Sequence, residues 1–202
     1  MILRHLFLII MIALAGCAHQ GRITAPPNVL AQQELLQTIA QWEVNGKLGI
    51  RTADDSGSAS LKWAQTEKDY RINLSGPLGQ KHIAITGTPH KVTLEESGRP
   101  PLSAQNAESL IKQAVGWTLP VTQLAYWIRG VPAPREKITS LQANELGLVA
   151  QLEQGGWTIQ YSNYRNWDIE GKQVAMPQKI IAQYHDVRLI LAIRDWHMST
   201  PE

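Results

Sequence analysis

Trp42-Glu43-Val44-Asn45-Gly46-Lys47-Leu48-Gly49-Ile50 changes character at every step, apolar or small on one side and mostly polar on the other. Successive side chains of an extended chain point to opposite faces, so this stretch predicts a strand with one dry and one wet face. The pattern repeats on both sides of the chain's middle. Asp54-Asp55-Ser56-Gly57 supplies turn residues, Ala59, Leu61 and Trp63 begin a return strand, and Tyr70, Ile72 and Leu74 oppose Arg71 and Asn73 in a third. After Ser75-Gly76-Pro77-Leu78-Gly79 come Ile83 and Ile85, then Val92 and Leu94 beyond Thr88-Pro89. Alternation returns at Leu146, Leu148 and Ala150, at Trp157, Ile159 and Tyr161, at Ile180 and Ala182, and from Val187 to Ile193. Helical spacing appears in three places. Asn28 or a neighbour caps a predicted helix through about Gln41. Ser103 caps another, with Ala107, Leu110, Ile111, Ala114 and Val115 on one face before Gly116. A short helix follows Pro120, carrying Leu124, Trp127 and Ile128 and stopped by Gly130, Pro132 and Pro134. No βαβ rhythm appears, so the expectation is a mostly β chain with α-helices, its antiparallel sheet solvated on one face.

Ahead of all this, Leu6 to Ala15 is an apolar run behind Arg4, too short to span a bilayer and followed by Leu14-Ala15-Gly16-Cys17. Small residues before a lone cysteine fit a bacterial lipobox. Residues 1–16 are then a signal peptide, and Cys17 becomes the first residue, carrying a thioether-linked diacylglycerol and an N-acyl group as its only added groups. Residues 17–27 read as a tether and 28–202 as one domain. With its only thiol committed to lipid, the chain has no disulfide to make.

Of the 19 Lys and Arg only Arg4 precedes Cys17, leaving 18 basic against 17 acidic residues and a net charge of +1. No run reaches three consecutive Lys or Arg, which argues against nucleic acid as a partner. The six histidines never form a metal-spaced pair, and no nucleophile elbow, phosphate loop or dinucleotide fingerprint occurs. We therefore expect no catalytic residues and no metal. Tryptophan is the unusual component, at seven residues against a single Phe that lies in the leader. Trp42, Trp63, Trp157 and Trp196 share strand faces with aliphatic neighbours. Periodicity is met equally by a solid core of indoles under the helices and by an incompletely closed sheet with an apolar hollow.

Several segments carry a resemblance. The lipobox, Ser75-Gly76-Pro77-Leu78-Gly79, Gly116-Trp117-Thr118-Leu119-Pro120, Tyr126-Trp127-Ile128-Arg129-Gly130-Val131-Pro132, Gly156-Trp157 ahead of Tyr161, Met176-Pro177 and a terminal strand ending in Trp196 together resemble the LolB family of outer-membrane lipoprotein receptors of Gram-negative bacteria. The resemblance implies an unclosed antiparallel β-barrel covered by helices and enclosing a hydrophobic cavity. It implies a monomer, lipid-anchored at the periplasmic face of the outer membrane. Such a protein takes client lipoproteins from the periplasmic carrier LolA, shelters their acyl chains and passes them to the membrane's inner leaflet. By the same resemblance Trp63, Trp127, Trp157 and Trp196 are acyl-cavity residues and Leu78 is a membrane-targeting loop residue. A different class, a lipid-anchored envelope scaffold with a solid core, shares the tether and the sheet and differs in lacking the hollow.

Overall fold

The computed structural model describes residues 29–77, 81–116, 118–169 and 171–199. Cys17, the tether and Leu78 lie outside the described residues. Helix α1 covers Val29–Thr38, and six strands follow: β1 Gln41–Arg51, β2 Ser56–Thr66, β3 Asp69–Ser75, β4 His82–Gly87, β5 Val92–Glu96 and β6 Leu102–Ala104. Two helices come next, α2 Ala107–Val115 and α3 Val121–Trp127. The chain then returns to sheet through β7 Ile138–Ala143, β8 Val149–Gln154, β9 Trp157–Ile169, β10 Lys172–Tyr184 and β11 Val187–Ser199.

All eleven strands form one antiparallel sheet in the order β6-β5-β4-β3-β2-β1-β11-β10-β9-β8-β7. Two meanders grow outward from a central pair of the first and last strands, whose partners include Val44 with Trp196 and Leu48 with Leu191. Their outer edges, β6 and β7, are consecutive in sequence but not hydrogen-bonded to each other. The connection between them is the α2–α3 segment. The sheet is therefore an unclosed barrel with helices over its gap.

One face of each long strand supplies the core. Trp42, Val44 and Leu48 of β1, Leu61 and Trp63 of β2, Ile159 and Tyr161 of β9, and Leu189, Leu191 and Ile193 of β11 are buried, as the period of two predicts, and Trp196, out of phase with them, is buried because the register of β11 shifts by one residue at Arg194. Leu110 and Ile111 of α2, and Val121, Leu124 and Trp127 of α3, complete the same cluster. A bulge between Asn45 and Gly46, opposite the segment from Ile193 to Asp195, bends the central pair. Gly46 is required there, because a Cβ would collide with the carbonyl oxygen of Ala192.

Three elements depart from the sequence reading. Asn106, not Ser103, caps α2: its side chain accepts from the Ser109 amide at 2.8 Å, while Ser103 lies in β6 with its hydroxyl 3.2 Å from that of Thr93. Strand β1 begins at Gln41, so α1 ends at Thr38 rather than running to Gln41. Strand β7 has no counterpart in the predicted pattern, and Leu146 falls in the exposed β7–β8 turn.

Candidate functional site

At one end of the barrel the β1–β2 turn, the base of the β3–β4 loop and the β10–β11 turn surround a hollow of about 1000 Å³. Its apolar wall is Leu48, Ile50, Ala59, Leu74, Ile83 and Val187. Those residues face inward by alternation on β1, β2, β3, β4 and β11, near the strand ends where the helices do not fill the barrel. Gly116, which ends α2 in the left-handed conformation at φ 84°, borders the hollow from the helical side. Asp54, Asp55, Lys81 and Asp186 ring its mouth. Gly76 and Pro77 belong to the same rim, so the segment leading to Leu78 starts at the opening. The space suits a long apolar ligand, since pockets for such ligands run to roughly 1000 Å³ with mainly hydrocarbon walls.

At the other end lies a second chamber of about 560 Å³. Trp42, Trp63, Tyr70, Val92, Val121 and Tyr126 line it, together with Arg129. The Tyr70 ring lies against its cross-strand partner Gly87, where no Cβ would fit.

The four indoles expected at an acyl cavity are all buried, with at most 7% of their surface exposed. They divide between two groups. Trp63 and Trp196 flank Trp42, at ring-centroid distances of 5.3 and 5.5 Å. Trp127 and Trp157 meet at 6.1 Å, and Trp157 stacks on Tyr184 at 5.4 Å. Among the four, Trp63 lines the second chamber, and none lines the larger hollow. Large indoles at mid-sheet and under α3 fill the space they face, whereas shorter aliphatic side chains near the strand ends leave it open.

Sequence reasoning assigned no site role to two buried polar residues that hold the helices in place. Gln154 is wholly buried and uses its entire amide: Oε1 accepts from Trp127 Nε1 and from the Ala133 amide, both at 2.8 Å, while Nε2 donates to the carbonyls of Ala133 and Glu136 at 2.9 and 3.0 Å. Arg129, 4% exposed, donates through Nε to Ala125 O at 3.0 Å and through Nη1 to the carbonyls of Leu36 and Ile39 at the end of α1. Helix α2 is tied to α3 by Glu108, which accepts from the amide and hydroxyl of Thr122 at 3.2 and 3.1 Å. That carboxylate serves the first turn of α3, where Pro120 provides no side-chain cap.

Residues 40–196 match the family described as outer membrane lipoprotein LolB. The chain belongs to the LolB family. The outer-membrane lipoprotein LolB of Cellvibrio japonicus is 55% identical over 186 residues, covering 92% of each chain. That of Stutzerimonas stutzeri is 38% identical over 91% of this chain and 89% of its own. A crystal structure from Vibrio parahaemolyticus, provisionally named an outer membrane lipoprotein-sorting protein domain, shares the fold at a TM-score of 0.51 and 6% identity, over 84% of this chain and 90% of that one. LolB relatives are thus outer-membrane lipoproteins, and among the described residues of this chain no helix is long and apolar enough to cross a membrane.

Proposed function

We propose that this LolB-family chain receives lipoproteins at the periplasmic face of the outer membrane, holds their acyl chains in the 1000 Å³ hollow, and inserts them into the inner leaflet. The observation that carries the reading is the place of that hollow in a LolB chain: an aliphatic space opening at the base of the loop that bears Leu78. Each methylene withdrawn from water is worth about 0.8 kcal/mol, so a triacylated client does not cross an aqueous compartment bare. Chains pass from a LolA-like carrier mouth to mouth. Direction requires only that the receiver bind them more tightly, and about 1.4 kcal/mol gives a tenfold bias. The lipid on Cys17 anchors the chain. Leu78 dips into the leaflet, gaining about 1.5–3 kcal/mol, enough to turn the mouth toward the bilayer. The buried indoles Trp63, Trp127, Trp157 and Trp196 act as the rigid packing that keeps sheet and helices in register around the hollow.

A reconstituted transfer assay with a labelled triacylated lipoprotein separates the two steps. Ala59→Trp, which sets an indole into the hollow, lowers acceptance from the carrier tenfold or more. Leu78→Glu accepts normally and delivers poorly to vesicles. Normal acceptance by Ala59→Trp would refute the hollow as the acyl site, and normal delivery by Leu78→Glu would refute the loop's role.

A further inference from the structure

The 560 Å³ chamber holds a feature that acyl-chain shelter does not use, a buried cation. The guanidinium of Arg129 sits 5.7 Å from the Trp42 ring centroid and 5.3 Å from that of Tyr126. Its described hydrogen bonds all go to neutral backbone carbonyls, of Ala125, Leu36 and Ile39. They are made by Nε and Nη1, and none by Nη2. Among the described residues no carboxylate pairs with it. Carbonyl dipoles and aromatic faces offset part of the desolvation cost but leave the unit charge uncompensated. The charge persists at neutral pH, because burial lowers this group only to about 10. At the chamber's edge, Glu67 and Lys68 contribute opposite charges.

We propose that this chamber binds a single-headed amphiphile with one carboxylate, of the long-chain fatty carboxylate class, whose headgroup pairs with Arg129 and whose tail lies against Trp42, Trp63, Tyr70 and Val92. With the Nε hydrogen and both Nη1 hydrogens given to backbone carbonyls, the two hydrogens of Nη2 are left for a carboxylate, a charge-assisted contact stronger than one to a neutral acceptor. One cation balances one negative charge, whereas a phosphate monoester brings about −1.5 to −2 and would leave an excess buried. Aromatic walls supply apolar area with few torsions to freeze. The site is distinct from the larger hollow in position, lining and charge, so it stands whether or not that hollow carries acyl chains.

The test uses the full chain, cis-parinaric acid as fluorescent carboxylate and its methyl ester as the uncharged twin, at pH 7. The acid binds at least tenfold more tightly than the ester to the unsubstituted chain. That preference disappears in Arg129→Gln. Because Arg129→Gln also removes helix contacts, Val92→Trp, which places an indole in the chamber and leaves Arg129 in place, decides the matter: it too loses the preference while keeping the far-ultraviolet dichroism and the cooperative urea unfolding of the folded chain. Ala59→Trp, in the other hollow, keeps it. Equal binding of acid and ester by the unsubstituted chain, or a preference that survives Val92→Trp, would overturn the assignment.

Discussion

Gln154 shows how one side chain fixes the cover of a barrel. An amide has two donors and two acceptor sites, and here all four meet partners on α3 or on the segment after it. Gln154→Leu keeps the volume roughly and strands the Trp127 indole N–H together with the amide and carbonyl of Ala133. A buried unsatisfied group costs about 1–3 kcal/mol, and some of these reach other partners on relaxation, so urea unfolding is expected to show a loss of about 3 kcal/mol. A loss under 1 kcal/mol would mean that the cover is held by packing alone. Neither Gln154 nor Arg129 was legible as a fastener, because the partners of Gln154 lie 18 or more positions away and the carbonyls that tie Arg129 to the end of α1 lie 90 or more positions upstream. Hydrophobic periodicity carries no information about such pairings.

Strands were legible in proportion to how unevenly their faces are wetted. β1, β9 and β11 bury one face and expose much of the other, and their alternation is plain in the sequence. β7 exposes five of its six residues and β6 has only three, so neither shows a period of two. Ser103 and Asn106 are both good caps, and only the pairing of β6 with β5 removes Ser103 from the choice. The glycines of β1 sharpen the point. Gly46 and Gly49 look alike in sequence, yet a Cβ at Gly49 meets Ile190 at an ordinary 3.8 Å while one at Gly46 strikes backbone. Gly46→Val is therefore expected to cost about 2–3 kcal/mol, and Gly49→Ala less than about 0.5 kcal/mol, in the same unfolding assay. Equal effects would show that the bulge tolerates a side chain.

At the level of the whole molecule, inward-facing indoles were readable, but which side chains border a hollow was not. That depends on where the helices stop along the barrel, a non-local outcome that left Trp63 at one chamber and Leu48, Leu74 and Ile83 at the other. The same packing sets the response to alkali. Burial raises Tyr70 to about 12 and pushes Tyr161 and Tyr164 up as well. Each phenol keeps its proton in the folded state after the unfolded chain, titrating near 10, has lost it, so its contribution is full below pH 10 and declines as pH rises toward the folded value. Arg129, lowered to about 10, acts in the opposite sense between its folded value and the ordinary guanidinium value. Three phenols against one guanidinium give a net fall in stability above pH 10. Absorbance at 295 nm is expected to show these three tyrosines ionising only with the alkaline unfolding transition; early titration of all five would contradict their burial.

The sheet's two free margins come from strands adjacent in the chain and joined through the two helices and the segment that follows them, with no strand pairing across the gap. Swelling around bulky cargo can therefore proceed by parting along that seam, where side-chain contacts are traded and every rung between strands stays intact.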